Sequence, residues 1–197
     1  MDQLATSDEG HRQSLSLGAT IRDSLFRPRS FFESLDPLGA LAPALIYALL
    51  FTLIAGLGFA LEDYLSAAHG PSTFDLLDTW PWYWDLLDWP LVLAIELLYM
   101  AWLHLILRWR GGTTFPLRAT LRAYCYGGAV NLFCLIPFLG IWISAFWGWW
   151  LVLFSVKTVQ RCTWTRVITS WMISNALLGL LVFGVIFLTG YFRHYFQ

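Results

Sequence analysis

The sequence predicts an all-α, polytopic membrane protein: a bundle of five transmembrane helices with an N-terminal interfacial amphipathic helix. Two observations about composition and one about charge predict it. Apolar stretches occupy 38–61, 90–107, 123–137, 139–156 and 167–190, and about 20 apolar residues suffice for one helical crossing. The chain is 58% hydrophobic, 13% charged and has a mean hydropathy of +0.60, the balance of a chain dissolved in lipid. Its Lys and Arg residues are then confined, with one exception, to one side of the crossings.

Arg12, Arg22, Arg27 and Arg29 precede the first stretch, Arg108, Arg110, Arg118 and Arg122 separate the second from the third, and Lys157, Arg161 and Arg166 separate the fourth from the fifth. Only Arg193 follows the last. Positive charge is retained in the cytoplasm, so a five-span reading puts the N-terminus inside and the C-terminus outside a cell membrane. A cleaved signal peptide is not expected, because no apolar run precedes Leu38.

Residues 1–19 are polar, Ser-rich and aperiodic, and read as a disordered cytoplasmic tail. The segment 20–36 differs. Ile21, Leu25, Phe31, Phe32 and Leu35 alternate with Arg22, Arg27, Arg29 and Glu33, so it can lie at the interface with its rings in the acyl boundary and its arginines on anionic headgroups. Packing on the helix bundle is the alternative reading. Pro28 is acceptable there only at a break or in a first helical turn.

The five-helix domain follows at 37–197. In its first span Ala40, Ala44, Ala48, Thr52, Gly56 and Ala60 form a small-residue stripe, and Ala119, Ala123, Gly127 and Asn131 form another. Such stripes let backbones approach closely. Intramolecular packing is the first expectation and a homodimer the second. The loop 62–89 lacks Lys and Arg and repeats itself, FDLLDTWP at 74–81 being echoed by WDLLDWP at 84–90. Its tryptophans suit the outer membrane surface, and Asp88 suits the cap of the second span.

Within that span lies Glu96, followed on a similar face by Met100 and His104. An intramembrane carboxyl that exchanges a proton is what a proton-coupled transporter needs. The structural alternative, favoured at this point, is a Glu96 bonded to Asn131, Asn175 or a serine that simply holds the bundle together. His104 reads as interfacial. The continuous apolar run 123–156 is long for one crossing and short for two, and Pro137 with Gly140 divides it into a hairpin that either crosses fully or turns within the bilayer.

Enzymatic chemistry finds no support. The sequence has no HExxH, no GxSG-like serine with a partnered intramembrane histidine and no paired Glu motif, so neither catalytic residues nor a cofactor is expected. Cys125, Cys134 and Cys162 stand apart without CxxC spacing, and neither a disulfide nor a metal site is expected. Gly111-Gly112 lacks the rest of a phosphate loop and reads as a turn.

From these two glycines onward the chain resembles the Yip (Ypt-interacting protein) domain family. The run RWRGGTTFPLRATLRAYCYGG at 108–128 matches its order of a hydrophobic helix, GG, a basic stretch and an RA-Y helix start. IPFLG at 136–140 matches its IP-LG hairpin, and FRPRSFF at 26–32 its P-R-FF opening. The resemblance spans 26–190 and implies five transmembrane helices, a cytoplasmic N-terminus and, in eukaryotic relatives, vesicle transport through Rab-type GTPases. The DLYGP segment of those relatives has no counterpart here, and the compact, arginine-rich loops point to a bacterial or archaeal membrane.

The functional expectation is a non-enzymatic scaffold or adaptor for membrane organisation. Its partners would be the lipid bilayer, anionic lipid headgroups, and a membrane protein or a second copy of the chain, with no nucleic acid. Arg27, Arg29, Phe31 and Phe32 would meet the cytoplasmic leaflet, and Arg108, Arg110, Gly111 and Gly112 a partner or headgroup. A small proton, ion or lipid transporter or channel using Glu96, with Asn131 and His104, is the competing expectation.

Overall fold

A computed structural model describes residues 16–67 and 82–195, and the elements among these residues are all helices, without a strand. The expected tail at 1–15 and the loop residues 68–81, including Asp75, Asp78 and Trp80, lie outside the described residues.

The N-terminal segment is two helices. In α1 (Leu17–Phe26) Ser16 caps the start, its Oγ accepting the Ala19 N–H at 3.3 Å, so ordered chain begins before Thr20. Pro28 opens α2 (Pro28–Ser34) at its first position, where a missing N–H leaves no hydrogen bond unmade. Leu25, Phe31 and Phe32 are all buried against the bundle. The two phenylalanines pack with Ala119, Ala123 and Leu151, the arrangement that the alternative of packing on the bundle expects.

Two long helices follow, α3 (Ala42–Ala67) and α4 (Trp82–Trp109). Both overrun the apolar stretches, so 62–67 and 82–89 of the expected loop are helical. Asp88 lies inside α4 and caps nothing. Trp89 has its ring stacked on Phe59 at 5.1 Å.

Among the described residues four helices, not five, are long and apolar enough to cross a membrane: they cover Ala42–Glu62, Asp88–Trp109, Gly140–Val159 and Trp164–Phe187. The expected third span fails this test. Its residues form the end of α5 (Leu117–Gly127) and then a 3-10 segment (Gly128–Leu135), which Ile136 closes in extended conformation just before Pro137. This segment packs closely on α3: a Cβ on Gly58 would collide with the carbonyl of Cys134, so the two backbones run at a separation that only glycine permits. At about 1.5 Å per α and 2 Å per 3-10 residue, α5 and this segment together rise roughly 30 Å. They return the chain to the start of α6 (Gly140–Val159), after which α7 (Trp164–Tyr195) ends the described fold.

Packing is organised around that irregular segment. Ala129 and Val130 sit with Leu25, Tyr47 and Phe51 in one cluster, Ala44 and Ala48 with Leu93 and Cys125 in another, and Ala119 and Ala123 with Phe31, Phe32 and Leu151 in a third. The middle of the first stripe, Ala44 to Gly56, and Ala119, Ala123 and Gly127 of the second are thus buried inside the chain, while Ala40 and Ala60 are exposed. In α7 only 11% of the spanning window is buried, and Leu180, Leu181, Phe183 and Ile186 are all more than 60% exposed, a surface suited to acyl chains.

The three basic segments meet at one end of the bundle. Arg118 and Arg122 donate to the carbonyls of Leu38 and Asp36, Arg166 Nη1 donates to Gly111 O at 3.1 Å, and Arg110 Nη1 donates to the Thr169 hydroxyl. Charge sorting along the chain has become one surface.

Candidate functional site

Helix ends shape this surface. At the end of α4 the Gly112 N–H donates to Leu107 O at 2.8 Å and the Gly111 N–H to Arg108 O at 2.9 Å, with Gly111 at φ 67. This pair of bonds is a Schellman cap with glycine in its left-handed position. The end of α6 repeats it: the Cys162 N–H donates to Lys157 O at 3.1 Å and the Arg161 N–H to Thr158 O at 3.2 Å, but Arg161, at φ 51, stands where glycine is usual.

Arg110, Gly111 and Gly112 therefore have structural duties. Arg110 is bonded to Thr169, Gly111 makes the cap and accepts from Arg166, and Gly112 is buried beside Leu107. Of that expected partner group only Arg108 is exposed with no described side-chain hydrogen bond. Arg27 is exposed as well, and Arg29 is exposed with its Nε donating to Glu33 Oε1 at 3.0 Å.

Beneath the surface runs a buried polar chain absent from the expectations. Gln160 is fully buried and its Oε1 accepts the N–H groups of Thr114 and Phe115 at 3.0 and 2.9 Å. Its Nε2 donates to Thr120 Oγ1 at 2.9 Å, and that hydroxyl lies 2.8 Å from His104 Nδ1. His104 is 6% exposed, so it joins the α4, α5 and α6 ends and is not an interfacial residue. Sequence spacing carried no signal for Gln160 or Thr120, because each is a lone polar residue whose partner is distant in the chain.

Deeper in the bundle, Glu96 lines a cavity of about 330 Å³ together with Tyr99, Tyr124, Asn131, Ser144 and Trp171. Its carboxyl is hydrogen-bonded to Tyr124. Asn131 Oδ1 accepts from Ser144 Oγ at 3.2 Å, and Asn175 Nδ2 donates to Tyr99 Oη at 2.9 Å. Glu96 is thus paired with a tyrosine instead of Asn131 or Asn175. Gly127, Gly128 and Gly148 form part of the wall.

A second cavity, of about 590 Å³, opens at the basic end between α2 and the last turn of α6, lined by Arg29, Glu33, Phe154, Lys157, Thr158 and Arg161, with Cys162 at its edge. Burial pushes the Cys162 thiol up from its ordinary range, partly offset by Arg166 and Lys157 nearby. No group of His, Cys, Asp and Glu among the described residues is arranged to hold a metal ion. No family model, curated protein or solved structure matches this chain.

Proposed function

We propose that the chain is a non-enzymatic, multi-pass membrane protein of the Yip type, acting as a scaffold or adaptor that gathers lipid or a protein partner at its basic end, with that end in the cytoplasm. One observation carries the reading: Arg110, Arg118 and Arg122 of one basic segment and Arg166 of another are tied to backbone and side-chain oxygens as one surface, while Arg27 and Arg108 are exposed. A rigid basic surface attracts anionic headgroups or acidic protein surfaces without moving parts. Reporter fusions at residues 70, 112, 162 and 197 test the orientation, 112 and 162 being expected inside and 70 and 197 outside. Photo-crosslinkers at positions 27 and 108 in native membranes test the function. The expected result is a discrete adduct from these positions and none from position 180, and equal labelling at all three would overturn the proposal.

The cavity around Glu96 favours a second reading, a small proton, ion or lipid transporter or channel. A carboxyl facing open space between helices has room for a ligand and an exchangeable proton. Flux into vesicles measured for the native chain and for Glu96→Gln decides it: flux that survives the substitution argues against a role for this carboxyl.

A further inference from the structure

The cavity between α2 and α6 has the make-up of an anion site. Arg29, Lys157 and Arg161 bring three positive charges to it and Glu33 one negative charge, leaving a balance of two positive. Arg29 is held by Glu33, but Lys157 and Arg161 form no salt bridge among the described residues. Instead they lie over rings, Lys157 Nζ at 5.7 Å from the centre of Trp164 and the Arg161 guanidinium at 5.4 Å from that of Phe115. These contacts position both cations and leave their charge uncompensated.

Two further observations point to a ligand. Thr158 lines the cavity, and its Oγ1 is buried with no hydrogen-bond partner among the described residues. Arg161 occupies a left-handed cap position at φ 51, an outlier of the kind retained where the side chain has a task.

An apolar groove adjoins the charged cavity. It has a volume of about 400 Å³, shares Arg29, Glu33 and Phe154 with it, and continues past Trp150, Pro28 and Phe26. Trp150 and Phe154 are stacked at 5.0 Å and form a flat wall one and two turns above Lys157 on α6. A charged head and an apolar tail thus lie end to end, along the direction in which the helix would enter the membrane.

We propose that this composite site seats one anionic phospholipid, its phosphate between Lys157, Arg161 and Arg29 and an acyl chain along Phe154 and Trp150. The inference rests on the membrane reading above and names the lipid site within it. Alone, the charged cavity would also suit a free phosphate, and the adjoining groove favours the lipid.

Native mass spectrometry of the full-length protein released from mixed micelles tests this, with phosphatidylglycerol, phosphatidylcholine and inorganic phosphate as probes. Phosphatidylglycerol should be retained over phosphatidylcholine by roughly tenfold. Lys157→Gln/Arg161→Gly should bring that preference close to parity, whereas Arg22→Gln, which alters a residue outside the cavity paired with Asp23, should keep it. Arg161→Gly alone relieves the left-handed strain, so its fold is not at risk, and it should still lose several-fold. A preference that survives both substitutions overturns the proposal, as does its absence from the native chain. Displacement of the lipid by inorganic phosphate would assign the site to a free anion and overturn it too. Insertion into vesicles, scored separately, distinguishes failure of the membrane reading from failure of this site.

Discussion

Gly111 and Arg161 hold the same position in two caps of identical hydrogen-bond pattern, Gly111 at φ 67 after α4 and Arg161 at φ 51 after α6. A left-handed backbone costs a residue with a Cβ about 1–2 kcal/mol relative to glycine. Gly111→Ala should therefore lower stability by about 1 kcal/mol, whereas Arg161→Gly should not lower it by a comparable amount. Thermal unfolding in detergent measures both. Equal losses would show that the cap conformation carries no such cost.

Gln160 is the hub of the buried polar chain, serving Thr114, Phe115 and Thr120 at once. Gln160→Leu keeps the volume and leaves two backbone donors unpaired, at roughly 2–4 kcal/mol in all. Gln160→Glu keeps the acceptor and should lose less. A leucine variant as stable as the native chain would mean that water replaces the amide.

Phe32 is 1% exposed and Phe26 71% exposed, although only five residues separate them. Phe32→Ala should cost about 3 kcal/mol by opening a cavity beneath α2, while Phe26→Ala should change stability by less than about 0.5 kcal/mol. The opposite order would mean that α2 leaves the bundle for the membrane surface.

Cys162 is 9% exposed and its thiol is held above the ordinary value of 9.0 by burial. Below that value the folded and unfolded chains both carry the neutral thiol, so no pH dependence arises from it. As pH rises through 9.0 only the unfolded chain ionises, and the fold loses stability. Labelling of a variant with Cys125 and Cys134 replaced by Ala should be slow at neutral pH and accelerate on alkaline addition. Fast labelling at pH 7 would place the thiol in the open.

Much of the architecture was legible because long apolar runs follow a simple code. Glu96 on α4 stands out for being the wrong chemistry in an apolar run, and the Gly111 turn is visible because few residues but glycine adopt its backbone. Phe31 and Phe32 were less legible: an amphipathic segment offers the same apolar face to acyl chains and to a protein, and only the position of Ala119, Ala123 and Leu151 decides between them. Gln160, Thr120 and His104 were not legible as a unit, since hydrogen-bond partners far apart in sequence leave no spacing.

The sequence by itself determined that this chain is helical, that several of its helices are apolar enough for a bilayer, and that its basic residues gather in three segments, because hydropathy and charge act residue by residue. Only the tertiary structure decided that the apolar run after Gly127 is a 3-10 segment instead of a fifth spanning helix. Its composition suits either form, and hydropathy does not record the close approach of its backbone at Cys134 to Gly58 of α3. The same holds for the union of Arg29 with Lys157 and Arg161 around one cavity, since charges from separate loops become a site only when packing brings their helix ends together.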